Sequence, residues 1–188
     1  MCIAQCWRMK RTWIPVFLIV GSALLGGCGK ASKNGTGSEG NAADAAVDWR
    51  IPTQAQPKLA TIKLWIGPEE MSAEMAVTEI QERTGMMFRT NMAENEGMIF
   101  VFPTPQRADF WMMNTILPLS AAYIDPDGQI LEIHDLQPHD TNSVRAATDN
   151  IQYVLETTQG WFKRHNIKEG TVIATERGTL RKTFFEDR

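Results

Sequence analysis

The sequence predicts an α+β fold, mainly antiparallel short strands forming a partly closed barrel or sandwich with two short helices. Three observations carry this. Apolar and polar residues alternate over short runs separated by turns rich in Gly, Pro and Asp. Only two stretches, opening near Thr78 and Gln159, suit helices, and both are brief. One run, GMIFVF at 97–102, is apolar on both faces, as a central strand covered on both sides would be.

In chain order, Ile62, Leu64 and Ile66 share one face of a first strand, with Thr61, Lys63 and Trp65 opposite. Gly67-Pro68-Glu69-Glu70 makes a turn, and residues 71–77 return as a second strand. Thr78 with Gln81 resembles a capping box, opening a helix that runs to about Met87. Strands are expected at 97–102, 107–113, 121–125 and 129–135, the first two pairing as a hairpin across Pro103-Thr104-Pro105-Gln106. Asp125-Pro126-Asp127-Gly128 is a hairpin turn, Pro presetting φ and Gly accepting a positive φ. Residues 151–156 alternate again, 159–165 suit a short helix, and 170–175 supply a closing strand.

The first 28 residues set an address. Lys10 and Arg11 precede an apolar stretch from Trp13 to Leu25, and Leu25-Gly26-Gly27-Cys28 follows. The stretch is too short for a spanning helix, which needs about 20 apolar residues. Its end resembles the lipobox of bacterial lipoprotein signal peptides, which implies lipidation of Cys28 and a membrane anchor. Residues 1–28 are therefore read as a signal peptide with its true start at Met9, and 29–57 as a tether, flexible in its Gly/Ser half and stiffer toward Pro52 and Pro57. Residues 58–175 are the domain, and 176–188 a tail. Trp49 stands out in the tether as a residue that could dock on the domain or at a membrane interface. Gly29 lacks the aspartate associated with inner-membrane retention, so an outer-membrane lipoprotein facing the periplasm is expected.

Charge and cysteine usage narrow the classes. The 188 residues carry 19 Lys+Arg and 22 Asp+Glu, a net charge of −3. No basic stripe is present, so no nucleic-acid partner is expected. The leader takes three of those cations (Arg8, Lys10, Arg11) and none of the acids, leaving −6, so the anchor is lipid and not electrostatic. Cys2, Cys6 and Cys28 all fall in or at the end of the leader, leaving the domain without a disulfide, a thiolate nucleophile or a thiolate metal site.

Four segments, TGMMFRT, EGMIFVFP, FWMMNTILPLSAAYID and DPDGQI, occur in the order and spacing of the domain-of-unknown-function-192 family. The resemblance covers about residues 58–175. The matching positions are Gly85, Met87, Arg89, Gly97, Met98, Phe100, Phe110, Trp111, Met112, Asn114, Thr115, Pro118, Leu119, Asp127 and Gly128. Glu156 and Gly160 match further on. Met113 stands where that family usually places a lysine, and Ser120 where it usually places an aspartate. The resemblance implies the fold and assigns no activity.

Side-chain chemistry leaves one candidate site. The eight methionines between Met71 and Met113 suit Cu(I) or oxidant scavenging, but adjacent strand residues face opposite ways and gap-filling in the core is the simpler use. His134 and His139 lie near Glu132, Asp135 and Asp140 without a standard zinc spacing, and His165 suits a helix C-terminus. Ser72, Ser120 and Ser143 sit in no nucleophile elbow, and Gly85 and Gly97 form no phosphate loop. No cofactor and no metal are expected. What remains is Arg89 with Trp111, Asn114 and Thr115: a cation for bidentate contact, a flat apolar ring, an amide and a hydroxyl, converging on one concave surface for a small ligand. Against it, Asn114 and Thr115 could simply cap a turn, and Arg89 could pair with Asp109 or Asp127.

Two functional classes follow. The first is a lipid-anchored envelope protein that binds a small ligand or a partner without catalysis. The second is a small envelope enzyme acting on a polysaccharide or peptidoglycan fragment. A structural protein that pairs through a sheet edge is a third reading.

Overall fold

Strand β1 (Thr61–Ile66) buries Ile62, Leu64 and Ile66 and exposes the residues between them, as the alternation requires. A turn at Gly67 and Pro68 returns the chain into β2 (Glu69–Ala76), antiparallel to β1. The computed structural model describes residues 51–186. The leader, Cys28, the proposed start at Met9 and Trp49 lie outside the described residues.

Thr78 caps α1 (Glu79–Thr84) with a full capping box: its hydroxyl accepts from the Gln81 amide, and the Gln81 side chain accepts from the Thr78 amide. The helix stops at Thr84, short of Met87, because Gly85 takes φ 47° and ψ −129° and turns the chain out. This crossover allows β3 (Glu96–Gln106) to pair parallel with β2, the one parallel pair in the main sheet.

β3 is buried from Gly97 to Phe102 and is flanked by β2 on one side and β8 (Ile151–Thr158) on the other. Both of its edges are thereby taken. The expected hairpin with 107–113 does not form for this reason. Only Asp109–Phe110 (β4) is strand, pairing with β7 (Val144–Arg145) in a separate two-stranded ribbon. The ribbon is packed on the sheet, with the Phe110 ring edge-on to Phe100 at 5.1 Å.

The Asp125–Gly128 turn joins β5 (Leu119–Ile124) to β6 (Ile130–Leu136), with Gly128 at φ 87°. Short helix α2 (Trp161–Arg164) leads toward β9 (Ile173–Thr175) and β10 (Gly178–Thr179), and a π-helical turn, Lys182–Glu186, follows. The strand order is β10-β9-β1-β2-β3-β8-β5-β6.

The domain is thus a strand-rich α+β structure with a few short helices. The sheet is not closed into a barrel. Among the described residues, the start of β6 meets the approach to β9 where Gln129 bridges Val172: the Ile130 amide donates to the Thr171 carbonyl at 2.9 Å, and the Gly170 and Ile173 amides donate to the Ile130 and Gly128 carbonyls at 2.8 Å each.

Each face of the sheet carries an apolar cluster. One gathers Leu64, Ile99, Tyr153, Leu155, Trp161, Phe162 and Phe184. The other gathers Met86, Met98, Phe100, Phe110, Met112, Tyr123 and Val154. Fully burying one such side chain contributes roughly 1.5–3 kcal/mol, so α2 earns its place through two residues, Trp161 and Phe162.

Candidate functional site

The strand register sets a row across the second of these faces. Thr61, Glu74, Met98, Glu156, Ala121 and His134 stand opposite one another, one from each of β1, β2, β3, β8, β5 and β6. Neighbouring strands lie about 4.8 Å apart, so Glu156 is roughly 10 Å from Glu74 on one side and from His134 on the other. Three ionisable groups therefore share one line, each in a different environment.

Glu156 is wholly buried, and neither carboxyl oxygen has a hydrogen-bond partner among the described residues. Its row neighbours, Met98 and Ala121, offer no polar side chain. Burial pushes the carboxyl up to about 8, so it holds its proton at neutral pH. Burial likewise raises the Tyr123 phenol, and the charges of Glu156, Asp109 and Glu132 push it further. Tyr123 donates to the Val144 carbonyl at 2.5 Å and packs on the His134 ring at 5.1 Å. His134 in turn meets Glu132 at 2.9 Å, and the Glu132 carboxylate also accepts from the Ala147 amide.

At the other end of the row, Arg89 Nη2 donates to Glu74 Oε2 at 2.8 Å. The same oxygen accepts from the Leu59 amide at 2.7 Å. Arg89 is therefore paired with an acid, but with Glu74 and not with Asp109 or Asp127. Beside the pair is a cleft of about 30 Å³ lined by Lys58, Ser72, Met86, Asn91 and Glu96. That volume has room for one or two waters.

The four predicted site residues are placed unequally. The Phe88 amide donates to the Asn114 carbonyl at 2.8 Å, which brings the backbone beside Arg89 against the 111–115 loop. That contact replaces the expected hairpin as the link between the two segments. Thr115 is fully buried; its hydroxyl donates to the Met113 carbonyl and its own carbonyl accepts from the His139 amide. It builds the turn. Trp111 is half-buried, and its indole N–H, like the Arg89 Nε–H, is buried without a hydrogen-bond partner among the described residues.

The side chains of Arg89 and Asn114 both reach residues 52–57. Asn114 Nδ2 donates to the Pro52 carbonyl at 3.5 Å, and Arg89 Nη2 to the Pro57 carbonyl at 3.2 Å. Between them, Gln56 Nε2 donates to the carbonyl of Gln81 (3.2 Å), which also accepts from the Gly85 amide, and to the carbonyl of Gly85 (2.9 Å) just past the end of α1. The stiff end of the expected tether is a strap laid over the predicted site.

The remaining candidates have plain partners. Ser120 donates to Asp135 across the β5–β6 pair and accepts from the Gly160 amide at 2.8 Å. His165 stacks on Trp161 at 4.4 Å and faces Glu69 at 3.2 Å and Glu94 at 3.4 Å. Arg164 holds Glu94 with two bonds of 2.9 Å. Met86, Met87, Met98 and Met112 are buried as core. Among the described residues no group of three His, Cys, Asp or Glu is arranged to hold a metal ion.

The family model described as Uncharacterized ACR, COG1430 (DUF192) matches residues 62–175. The chain belongs to the DUF192 family. Two solved structures are similar at 30% sequence identity. One, a proposed transcription regulator from Sinorhizobium meliloti 1021, has a TM-score of 0.60, with 64% of this chain and 98% of that chain covered. The other, a protein of unknown function from Novosphingobium aromaticivorans DSM 12444, has a TM-score of 0.56, with 61% and 84% covered. No curated protein matches the chain.

The DUF192 match takes in Glu74, Arg89, Trp111, Asn114 and Glu156 but begins after the strap. Glu156 was matched to the family from sequence without being given a role. The signal available was a carboxylate directly after Tyr153, Val154 and Leu155, on a strand where those residues and Ile151 are of core type. At Ser120 the hydroxyl meets the carboxylate of Asp135 on the neighbouring strand.

Proposed function

We propose that this DUF192 protein is a lipid-anchored module of the bacterial cell envelope, held through Cys28 at the outer membrane and facing the periplasm, that binds a small ligand or a partner at the surface carrying Arg89, Trp111 and Asn114. Thr115 shapes the turn beneath. The observation that carries the binding reading is that Arg89 and Asn114 spend side-chain donors on main-chain carbonyls outside the family domain. Donors committed only to the core would support the fold; these address a segment lying on it. The anchor is supported by the order of basic residues, apolar stretch and Leu-Gly-Gly-Cys in the leader.

A second reading, an enzyme acting on a polysaccharide or peptidoglycan fragment, is favoured by Glu156. A carboxyl that keeps its proton at neutral pH is suited to general acid work once a substrate reaches it. Mass spectrometry of the full-length protein equilibrated with an envelope metabolite pool separates the two. A compound retained unchanged supports binding, and a compound consumed with its product released supports the enzyme. A pool left unaltered and unbound overturns the small-ligand form of both.

A further inference from the structure

We propose that residues 52–57 are a displaceable occupant of a peptide-binding groove, and that the groove's partner is an extended, proline-flanked segment of another protein. The inference rests on the binding reading above and names the class of ligand.

The contacts divide by chemistry. Asn114 and Arg89 donate to carbonyls at Pro52 and Pro57, so at the two ends the groove reads main chain alone. Among the described residues, Gln56 is the strap side chain that the groove reads: its amide donates to the carbonyls of Gln81 in α1 and of Gly85 just past it, and lies 4.0 Å from the Met98 sulfur. The end contacts lie five positions apart, at most about 17 Å in fully extended chain, and the strap bends once between them at Gln54. Donors that take carbonyls at separate points of one segment fit a length of chain laid along the surface and not a compact ligand. The cleft beside Arg89, about 30 Å³, is likewise too small for a whole ligand of the usual pocket size. Proline at each end fixes φ and removes N–H donors, so such a segment offers carbonyls at low ordering cost.

Three features mark the strap as displaceable. No residue from 51 to 58 is buried, and the strap touches the core only through the long contact of the Gln56 amide with the Met98 sulfur at 4.0 Å, among the described residues. It precedes the region matched by the family model. Exposed Ile80 and Ile116 stand one residue before Gln81 and two after Asn114, beside the anchors and uncovered by the strap.

Because the strap runs directly into β1, it competes at an effective concentration in the millimolar range, and a free peptide is largely shut out of the wild type. The test is fluorescence anisotropy of a labelled peptide of residues 51–59 with the full-length protein. Gln56→Ala in the protein removes the two strap bonds to the Gln81 and Gly85 carbonyls together with the contact to the Met98 sulfur, and leaves the groove intact. The peptide is expected to bind this variant about tenfold or more tighter than wild type. Binding is expected to be lost when the peptide's own Gln56 is replaced by Ala, and when the protein also carries Asn114→Gly. Equal binding to wild type and variant, or binding indifferent to the peptide's Gln56, overturns the inference. A wild-type dimer that the peptide dissolves also overturns it, since a second copy is then the occupant. If the peptide fails while the Gln56→Ala protein retains an envelope metabolite, only this inference falls; if both fail, the binding reading falls with it.

Discussion

Phe88 and Asn114 both sit at positive φ, 60° and 57°, and are joined by a hydrogen bond of 2.8 Å from the Phe88 amide to the Asn114 carbonyl. Asparagine tolerates the left-handed region; a bulky aromatic residue rarely does. Each such residue away from glycine costs on the order of 1–3 kcal/mol unless its surroundings enforce it. Here the two segments that carry Arg89 and Trp111 enforce each other. Strain concentrated at one contact, beneath the strap, is what a preorganised site would show.

Asn114 therefore has two separable roles, and two substitutions divide them. Asn114→Gly keeps the left-handed backbone and removes only the side-chain bond to Pro52, so unfolding free energy should stay within about 0.5 kcal/mol of wild type. Asn114→Ala keeps a Cβ at φ 57° but loses the side-chain amide that lets asparagine tolerate that region, and should lose about 1 kcal/mol more than the glycine variant. Urea unfolding of both proteins checks this. Equal losses would mean that the backbone conformation is not what Asn114 supplies.

Glu156 makes stability depend on pH. In the unfolded chain a carboxyl titrates near 4.5, and in the fold this one is pushed to about 8. Between those values the folded state keeps a proton that the unfolded state has released. Stability therefore falls as pH rises from about 4.5 to 8 and is level above, by a few kcal/mol in all. Glu82, raised to about 7 by burial and by Glu79, adds a smaller slope of the same sign. Glu156→Gln should flatten most of the fall and leave the Glu82 part. Thermal unfolding across pH 5–9 measures it, and an unchanged profile in the variant would show that Glu156 is not the group responsible.

The Arg89–Glu74 pair is mostly buried, with side-chain exposures of 18% and 15%. Removing only the cation leaves a carboxylate short of solvent, so Arg89→Met should cost about 1–3 kcal/mol. Glu74→Gln alone leaves the guanidinium stranded, at a similar cost. The double variant should recover part of the loss, giving a coupling of roughly 1 kcal/mol in a double-mutant cycle. Additive losses would make the pair a crossing of two independent contacts.

Gly97 has a steric task at the centre of the sheet. A Cβ there would lie 2.7 Å from the Glu156 carbonyl oxygen and 2.8 Å from the Met71 sulfur. The sulfur can move; the β8 backbone cannot without disturbing the pairing that aligns Met98 with Glu156. Gly97→Ala should cost about 1–3 kcal/mol. Chemical denaturation gives the value, and a neutral result would mean that β3 and β8 can separate locally without penalty.

The local signals in the sequence proved legible wherever one segment decided the outcome. The alternation in 61–66, the Thr78–Gln81 box and the Asp125–Gly128 turn all depend on neighbours in the chain. Residues 107–113 were not legible, because their alternation resembles a strand while the edges of β3 were claimed by β2 and β8 from far away. The row from Glu74 through Glu156 to His134 was hidden for the same reason: it exists only in the register of five strands. Arg89 and Asn114 do lie on neighbouring segments, yet their side chains diverge to the two ends of the strap. Nothing in the composition of 29–57 distinguished its last six residues as a docked element, except the prolines at 52 and 57.

The proposed anchor is tested at Cys28. Under the proposed reading, the signal from Met9 to Cys28 would place acyl chains on that thiol. Each buried CH₂ adds about 0.8 kcal/mol, so one chain binds a membrane only marginally while diacylglycerol with a further N-acyl chain holds firmly. With the basic leader removed, the remaining −6 charge gives no electrostatic attraction to anionic headgroups that could replace the lipid. Cys28→Ala should therefore either appear in the soluble fraction or persist as a precursor heavier by the uncleaved leader. Membrane fractionation with intact-mass measurement distinguishes these from the wild type. A Cys28→Ala protein that is cleaved normally and sediments with membranes as the wild type does would show that something other than lipid on Cys28 holds it there.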